Sequence, residues 1–185
     1  MKLNKTKVNF NRLSKVIEEF DKKYSIKVGI IGDTAYQQHE HTDLTNADLG
    51  AIHEYGATLN DGTIIPTRSF LRMPLLSSEA RRAIIKEVIK NNEGVAELVK
   101  KPTGDEADTA YREAVKKVVN PEQIANQIAI AALSRVQEAF KTDGFGNWKP
   151  TTEYSRKRRH GDANNPTLVD TGQLRDSISF EVKEV

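Results

Sequence analysis

The chain has 185 residues, 37% of them hydrophobic and 29% charged, with 28 Lys and Arg against 26 Asp and Glu for a net charge of +2. That length fits one domain of ordinary size, or a domain with a long protrusion, and leaves no room for two full enzyme domains, while the polar balance suits a helix-rich surface or faces covered only on oligomerisation. Cysteine is absent, which excludes disulfides, thiol catalysis and the usual zinc-finger sites, and so small a net charge does not demand nucleic acid as a partner.

The basic Met1-Lys-Leu-Asn-Lys-Thr-Lys7 has no apolar stretch behind it, and no run of about eighteen apolar residues occurs, so neither an export signal nor a membrane span is expected. Residues 10–23 carry Phe10, Leu13, Val16, Ile17 and Phe20 at helical spacing. A strand over 26–31 follows, with Ile26, Val28 and Ile30 alternating with smaller or polar residues, closed by a turn at Gly32-Asp33. After a polar stretch, Thr45-Asn46 caps a short helix through Leu49, Ile52 and Tyr55 that stops at Gly56. Asn60-Asp61-Gly62 is a turn signal before Thr63-Ile64-Ile65, which predicts a small hairpin or flap ended by Pro66.

Ser77-Ser78-Glu79 caps a helix to about Lys90, with Ala80, Ile84 and Val88 on its apolar side. Further helical pieces are expected over 95–100 and 105–119, separated by Pro102-Thr103-Gly104. The strongest helix begins at Asn120, where Asn120 and Gln123 make a capping-box-like pair, Pro121 takes the first helical position, and Ile124, Ala125, Ile128, Ala129, Ala132, Val136 and Phe140 keep the 3.6 period. Residues 143–166 have little periodicity and read as a long loop, or an arm ordered only in an assembly. Thr171 is the expected N-cap of a last helical turn, Gly172 gives the bend, and Leu174 and Ile178 share a face before the period changes to two at Phe180, Val182 and Val185. The predicted class is α+β. A small, mainly antiparallel sheet containing 26–31 and 179–185 is covered by helix 120–141, with helices over 78–118 as a packing layer or protrusion.

His39-Glu40-His41 with Asp43, and His53-Glu54, supply the ligand types of a divalent metal. Their spacing argues otherwise: His39 and His41 share a face only on a strand, and His-Glu-Tyr-Gly lacks the second His of a zinc-protease helix. There is no nucleophile elbow and no glycine-rich phosphate loop, and Glu18-Glu19 and Asp105-Glu106 suit helix surfaces and caps. Neither a metal, a cofactor nor an enzymatic activity is expected. Arg156, Lys157, Arg158 and Arg159, with Trp148 and Tyr154 nearby, form a basic cluster among stacking-capable rings, suited to phosphate or to an acidic neighbouring subunit.

Ala51-Ile-His53-Glu54-Tyr-Gly56, then Ile65-Pro66-Thr-Arg68-Ser-Phe70-Leu71-Arg72, then Trp148-Lys-Pro-Thr151, the basic run, and Leu168-Val-Asp170-Thr171-Gly172-Gln-Leu174 with Ser177-Ile178 occur in this order. The ordered set resembles the tailed-bacteriophage virion morphogenesis proteins, also described as tail completion or minor tail (neck) proteins. In that family the second segment usually has Pro where this chain has Ser69, and Leu often stands where this chain has Thr151. The resemblance spans 51–178, with 80–140 contributing only general character. It implies a non-enzymatic virion component of a phage or prophage, made in the bacterial cytoplasm, that completes the tail or joins it to the head. Such a subunit assembles with like copies, in a ring, and meets other tail or neck proteins. On this reading Phe70 and Leu71, flanked by Arg68 and Arg72, either anchor a subunit interface or close the subunit's own core. The arm at 143–166 then reaches a neighbour through Trp148 and Tyr154, and Trp148→Ala leaves the monomer folded.

Overall fold

The computed structural model describes residues 23–91 and 120–185; the helices expected over 10–23, 95–100 and 105–119 lie outside the described residues, apart from Lys23. The architecture is α+β. Strand β1 (Tyr24–Ile30) pairs antiparallel with β4 (Ile178–Glu184), from Tyr24 opposite Glu184 to Ile30 opposite Ile178. A second pair, β2 (Ala57–Thr58) with β3 (Ile64–Ile65), forms the expected hairpin, its turn closed by the Leu59 amide on the Thr63 carbonyl at 2.8 Å and by the Thr63 amide on the Asp61 carboxylate at 2.9 Å.

The helices in chain order are α1 (Asp33–Tyr36), α2 (Asn46–Tyr55), α3 (Arg72–Leu76), α4 (Ser78–Asn91), α5 (Pro121–Lys141), α6 (Glu153–Lys157) and α7 (Gln173–Asp176). The start of α2 follows its cap: the Thr45 hydroxyl accepts the Asp48 amide at 3.1 Å and the Asp48 carboxylate in turn accepts the Thr45 amide. Asn120 caps α5, accepting the Glu122 amide at 3.0 Å, and Pro121 supplies the pre-set first turn. Long helix α5 crosses both strands of the β1–β4 sheet and also packs on α3 and α4. Its stripe Ile124, Ala125, Ala129, Ala132, Val136 and Phe140 is buried, as the spacing predicts.

The core lies where this stripe meets β1, β4 and the chain between the helices: Phe70, Val136, Phe140, Trp148, Leu168, Val169, Leu174 and Ile178 form one cluster. Burial of apolar area there is the main stabilising term. Among the described residues, no helix is long and apolar enough to cross a membrane.

Four local expectations need correction. Gly32-Asp33 is not a bare turn but leads into α1, stabilised where the Thr34 hydroxyl donates to the Ile31 carbonyl. Helix α3 begins directly after the Pro66–Phe70 segment, where no helix was expected. Gly172, not Thr171, occupies the cap of α7 with φ 96°, and the Thr171 hydroxyl makes only a 3.4 Å contact with the Gln173 amide. The 143–166 stretch, expected as a long loop or an arm ordered only in an assembly, is a loop ordered against its own subunit. It winds through a tight turn at Gly144, buries Trp148, forms α6 and returns along the body, held by side-chain-to-backbone bonds that leave no periodic mark in sequence.

Candidate functional site

The densest polar chemistry gathers around Glu54, at the C-terminal end of α2. Its carboxylate, 5% exposed, accepts the Ser69 hydroxyl at 2.7 Å, the Leu71 amide at 2.9 Å, and the Arg72 amide and Nε at 3.1 and 2.8 Å. Arg72 also donates to the Glu54 carbonyl and lies over the Tyr55 ring at 4.3 Å. Burial raises the Glu54 pKa, but these hydrogen bonds outweigh it and hold the carboxyl below its ordinary value. One acidic side chain thus ties the end of α2 to the first turn of α3, where amide groups are otherwise unpaired.

Gly56 makes the same junction sterically possible. With φ 76° it turns the chain out of α2, and an added Cβ would stand 2.9 Å from both the Ile65 carbonyl oxygen and the Thr67 hydroxyl. The Arg68 amide then returns to the His53 carbonyl at 2.7 Å, and the Thr67 hydroxyl to the Tyr55 carbonyl at 3.0 Å.

Arg68 carries the connection onward. Only 8% exposed, it donates Nε to the Lys149 carbonyl at 3.1 Å, joining the Ile65–Arg72 segment to the one that follows Trp148. Burial lowers the Arg68 pKa, the nearby Arg159 guanidinium lowers it further, and Asp143 opposes the shift. Arg159 is folded back against its own segment, donating to the carbonyls of Asn165 at 2.6 Å, Pro166 at 3.1 Å and Thr167 at 2.8 Å. The Asp143 carboxylate accepts the Thr167 amide at 2.6 Å, and the Asp170 carboxylate accepts the amides of His160 and Gly161 at 2.9 and 2.8 Å. For Asp170, burial raises the pKa but these amides hold it below its ordinary value.

These connections frame a cleft of about 770 Å³ between the β2–β3 hairpin and the 149–174 segment. Leu49, Ile65, Pro66, Leu168 and Leu174 give it apolar walls, and Arg68, Arg159 and Lys149 stand along it. All four histidines of the chain line it. His41 stacks on His160 with ring centres 3.7 Å apart, and His39 Nδ1 meets the Asn46 side-chain oxygen at 2.7 Å. Among the described residues, no three His, Asp or Glu side chains converge tightly enough to hold a metal ion.

His53 is the unusual member. Its Nδ1 is buried and has no hydrogen-bond partner among the described residues. Burial, then the Arg68 charge and His39, push its pKa from 6.5 down to about 4. The folded protein therefore keeps His53 neutral where the unfolded chain would protonate it, so stability is full above pH 6.5 and falls as pH drops towards 4. The expected slope is about 1.4 kcal/mol per pH unit in that window. Urea melts of the native protein and of His53→Gln, compared from pH 7 down to pH 4.5, check this, the variant giving a flatter profile.

The structure separates the expected site residues into three groups. Phe70 and Trp148, candidates for an interface, are in the subunit's own core, 0% and 6% exposed, because the cluster beneath α5 needs both rings. Leu71 is half-buried against the same cluster, and Leu174, Ser177 and Ile178 are buried at the root of β4. Arg72 faces outward by half but is committed to Glu54. His53, Pro66, Arg68, Arg159, Asp170, Thr171, Gly172 and Leu174 meet at the cleft. Tyr154, Arg156, Lys157 and Arg158 are exposed; Lys157 pairs with Glu153 at 2.8 Å and Arg158 donates to the Tyr154 hydroxyl at 2.6 Å. The basic run is thus divided, Arg159 folded inward and the other cations outward. Ser69, Asn46 and Asp143, none of them expected as a site residue, prove central to the polar framework; Ser69 was noted only as the departure from the family's Pro and Asn46 only as part of a helix cap. Comparison of the chain with protein-family models, with curated proteins and with solved structures found no match.

Proposed function

We propose that this protein is a structural virion subunit of a tailed phage or prophage, made in the host cytoplasm, which completes the tail or joins it to the head by assembling with like copies and neighbouring tail or neck proteins. One observation carries the reading. The three stretches that resemble the virion morphogenesis family are tied to each other by their own polar residues, Glu54 linking the first to the second and Arg68 the second to the third, around one cleft. A motif spread over more than a hundred residues is economical if its purpose is to shape one surface. The cleft walls, apolar with cations along them, suit contact with another polypeptide.

Deleting the gene from a phage or inducible prophage that carries it is expected to leave separate heads and tails, seen by electron microscopy, and to abolish plaques until the gene is supplied in trans. Joined, infectious particles without the protein would overturn the reading. A second reading, contact with DNA, is favoured by the outward-facing Arg156, Lys157 and Arg158 beside exposed Tyr154 on α6. It expects duplex binding that weakens steeply with salt and is lost when those three cations become Gln.

A further inference from the structure

Two guanidinium groups in the cleft wall have no carboxylate in direct contact, and Asp143 acts on Arg68 only through space. Neither Arg68 nor Arg159 makes an ion pair among the described residues, and both are held by carbonyl oxygens, which satisfy N–H groups without neutralising the charge. For Arg68 the Nε bond to Lys149 is its only side-chain hydrogen bond among the described residues, so its two terminal nitrogens have no hydrogen-bond partner there, and the residue lines the cleft. A guanidinium this enclosed keeps its charge at a desolvation cost that a carboxylate arriving in bidentate geometry would offset.

We propose that the cleft receives a segment of a neighbouring polypeptide that carries a carboxylate side chain beside an apolar one. The carboxylate sits on the free edge of Arg68, and the apolar side chain lies between Ile65 and Pro66 on the hairpin and Leu168 and Leu174 opposite. This names the chemistry of the partner surface and rests on the assembly reading above. Charge complementarity favours a polypeptide over nucleic acid. Glu40 and Asp170 stand at the same cleft and repel a continuous phosphate chain, whereas a single carboxylate aimed at Arg68 avoids them. The walls mix apolar side chains with polar ones, and the cations that suit phosphate, Arg156, Lys157 and Arg158, do not line it.

The test is NMR on the ¹⁵N-labelled full chain. An acetylated, amidated Leu-Glu-Leu-Glu-Leu peptide is titrated beside its Leu-Gln-Leu-Gln-Leu counterpart and a short DNA duplex. The acidic peptide is expected to move the Arg68 Nε–H signal saturably, with the Gln peptide at least tenfold weaker and the duplex leaving that signal in place. Arg156→Gln/Arg158→Gln retains the acidic-peptide response. Equal response to both peptides, a response to the duplex at Arg68, or none to any probe would overturn the proposal. Because the readout is on the native chain, it does not depend on an Arg68 variant folding. Because it needs no phage, it can fail while the deletion phenotype stands, or succeed while that phenotype is absent.

Discussion

Glu54→Ala is expected to destabilise the fold by about 3 kcal/mol, lowering the melting temperature by roughly 6–12 °C for a chain of this size. The loss comes mainly from the Leu71 and Arg72 amides and the Ser69 hydroxyl, which are left without an acceptor at the start of α3. The ion pair itself contributes less, because the Arg72 side chain is 48% exposed and water screens it. Arg72→Ala should therefore cost about 1 kcal/mol or less. Chemical denaturation of both variants checks the division. Equal losses would mean that the ion pair, and not acceptance of the amides, holds the junction. The same change should loosen the β2–β3 hairpin, since Arg68 and Thr67 are positioned by the chain that Glu54 anchors.

Trp148→Ala should cost about 3–5 kcal/mol, the range for removing a large ring from a packed core. The indole stands edge-on to Phe140 with centres 5.8 Å apart, and Phe140 in turn meets Phe70 at 5.3 Å. A neighbouring backbone turn closes over it: Gly144 has φ 65°, and a Cβ there would overlap the indole ring. Gly144→Ala is accordingly expected to be destabilising too, through strain at positive φ and displacement of the ring. Trp148→Phe, which keeps most of the apolar volume, should lose less than half as much as Trp148→Ala. Thermal melts followed by Trp fluorescence for Gly144→Ala, and by circular dichroism for the Trp148 variants, measure these losses. A folded, fully stable Trp148→Ala monomer would show that the core does not need the indole and restore the view of this residue as an anchor for a neighbour. Failure of that variant to enter particles, without a melt, would say nothing about an interface.

Periodic elements were legible in the chain because their signals are local. The α5 stripe, the Asn120 cap and the alternation in 26–31 and 179–185 each need only neighbours in sequence. The hairpin at Asn60-Asp61-Gly62 was legible for the same reason. Helix α3 was hidden because its amides are satisfied by Glu54, from 17 and 18 positions earlier. The 143–166 segment read as a long loop or an arm because it lacks a period. Its order comes instead from Trp148 in the core, Asp143 on Thr167 and Arg159 on three successive carbonyls.

The sequence by itself determined the α+β class, 26–31 and 179–185 as strands of one small sheet, the long covering helix and the set of motif residues, since burial periodicity and capping are properties of short stretches, whereas the strand pairing was decided by the tertiary structure. Only the tertiary structure decided what those residues do. It made Phe70 and Trp148 core rather than surface, turned Arg159 inward and its neighbours outward, and brought all four histidines with Arg68 to one cleft. Whether a ring faces a neighbour or its own core, and whether an arginine meets a carboxylate or a carbonyl, depends on groups distant in the chain, and hydrophobicity and charge are the same in either case.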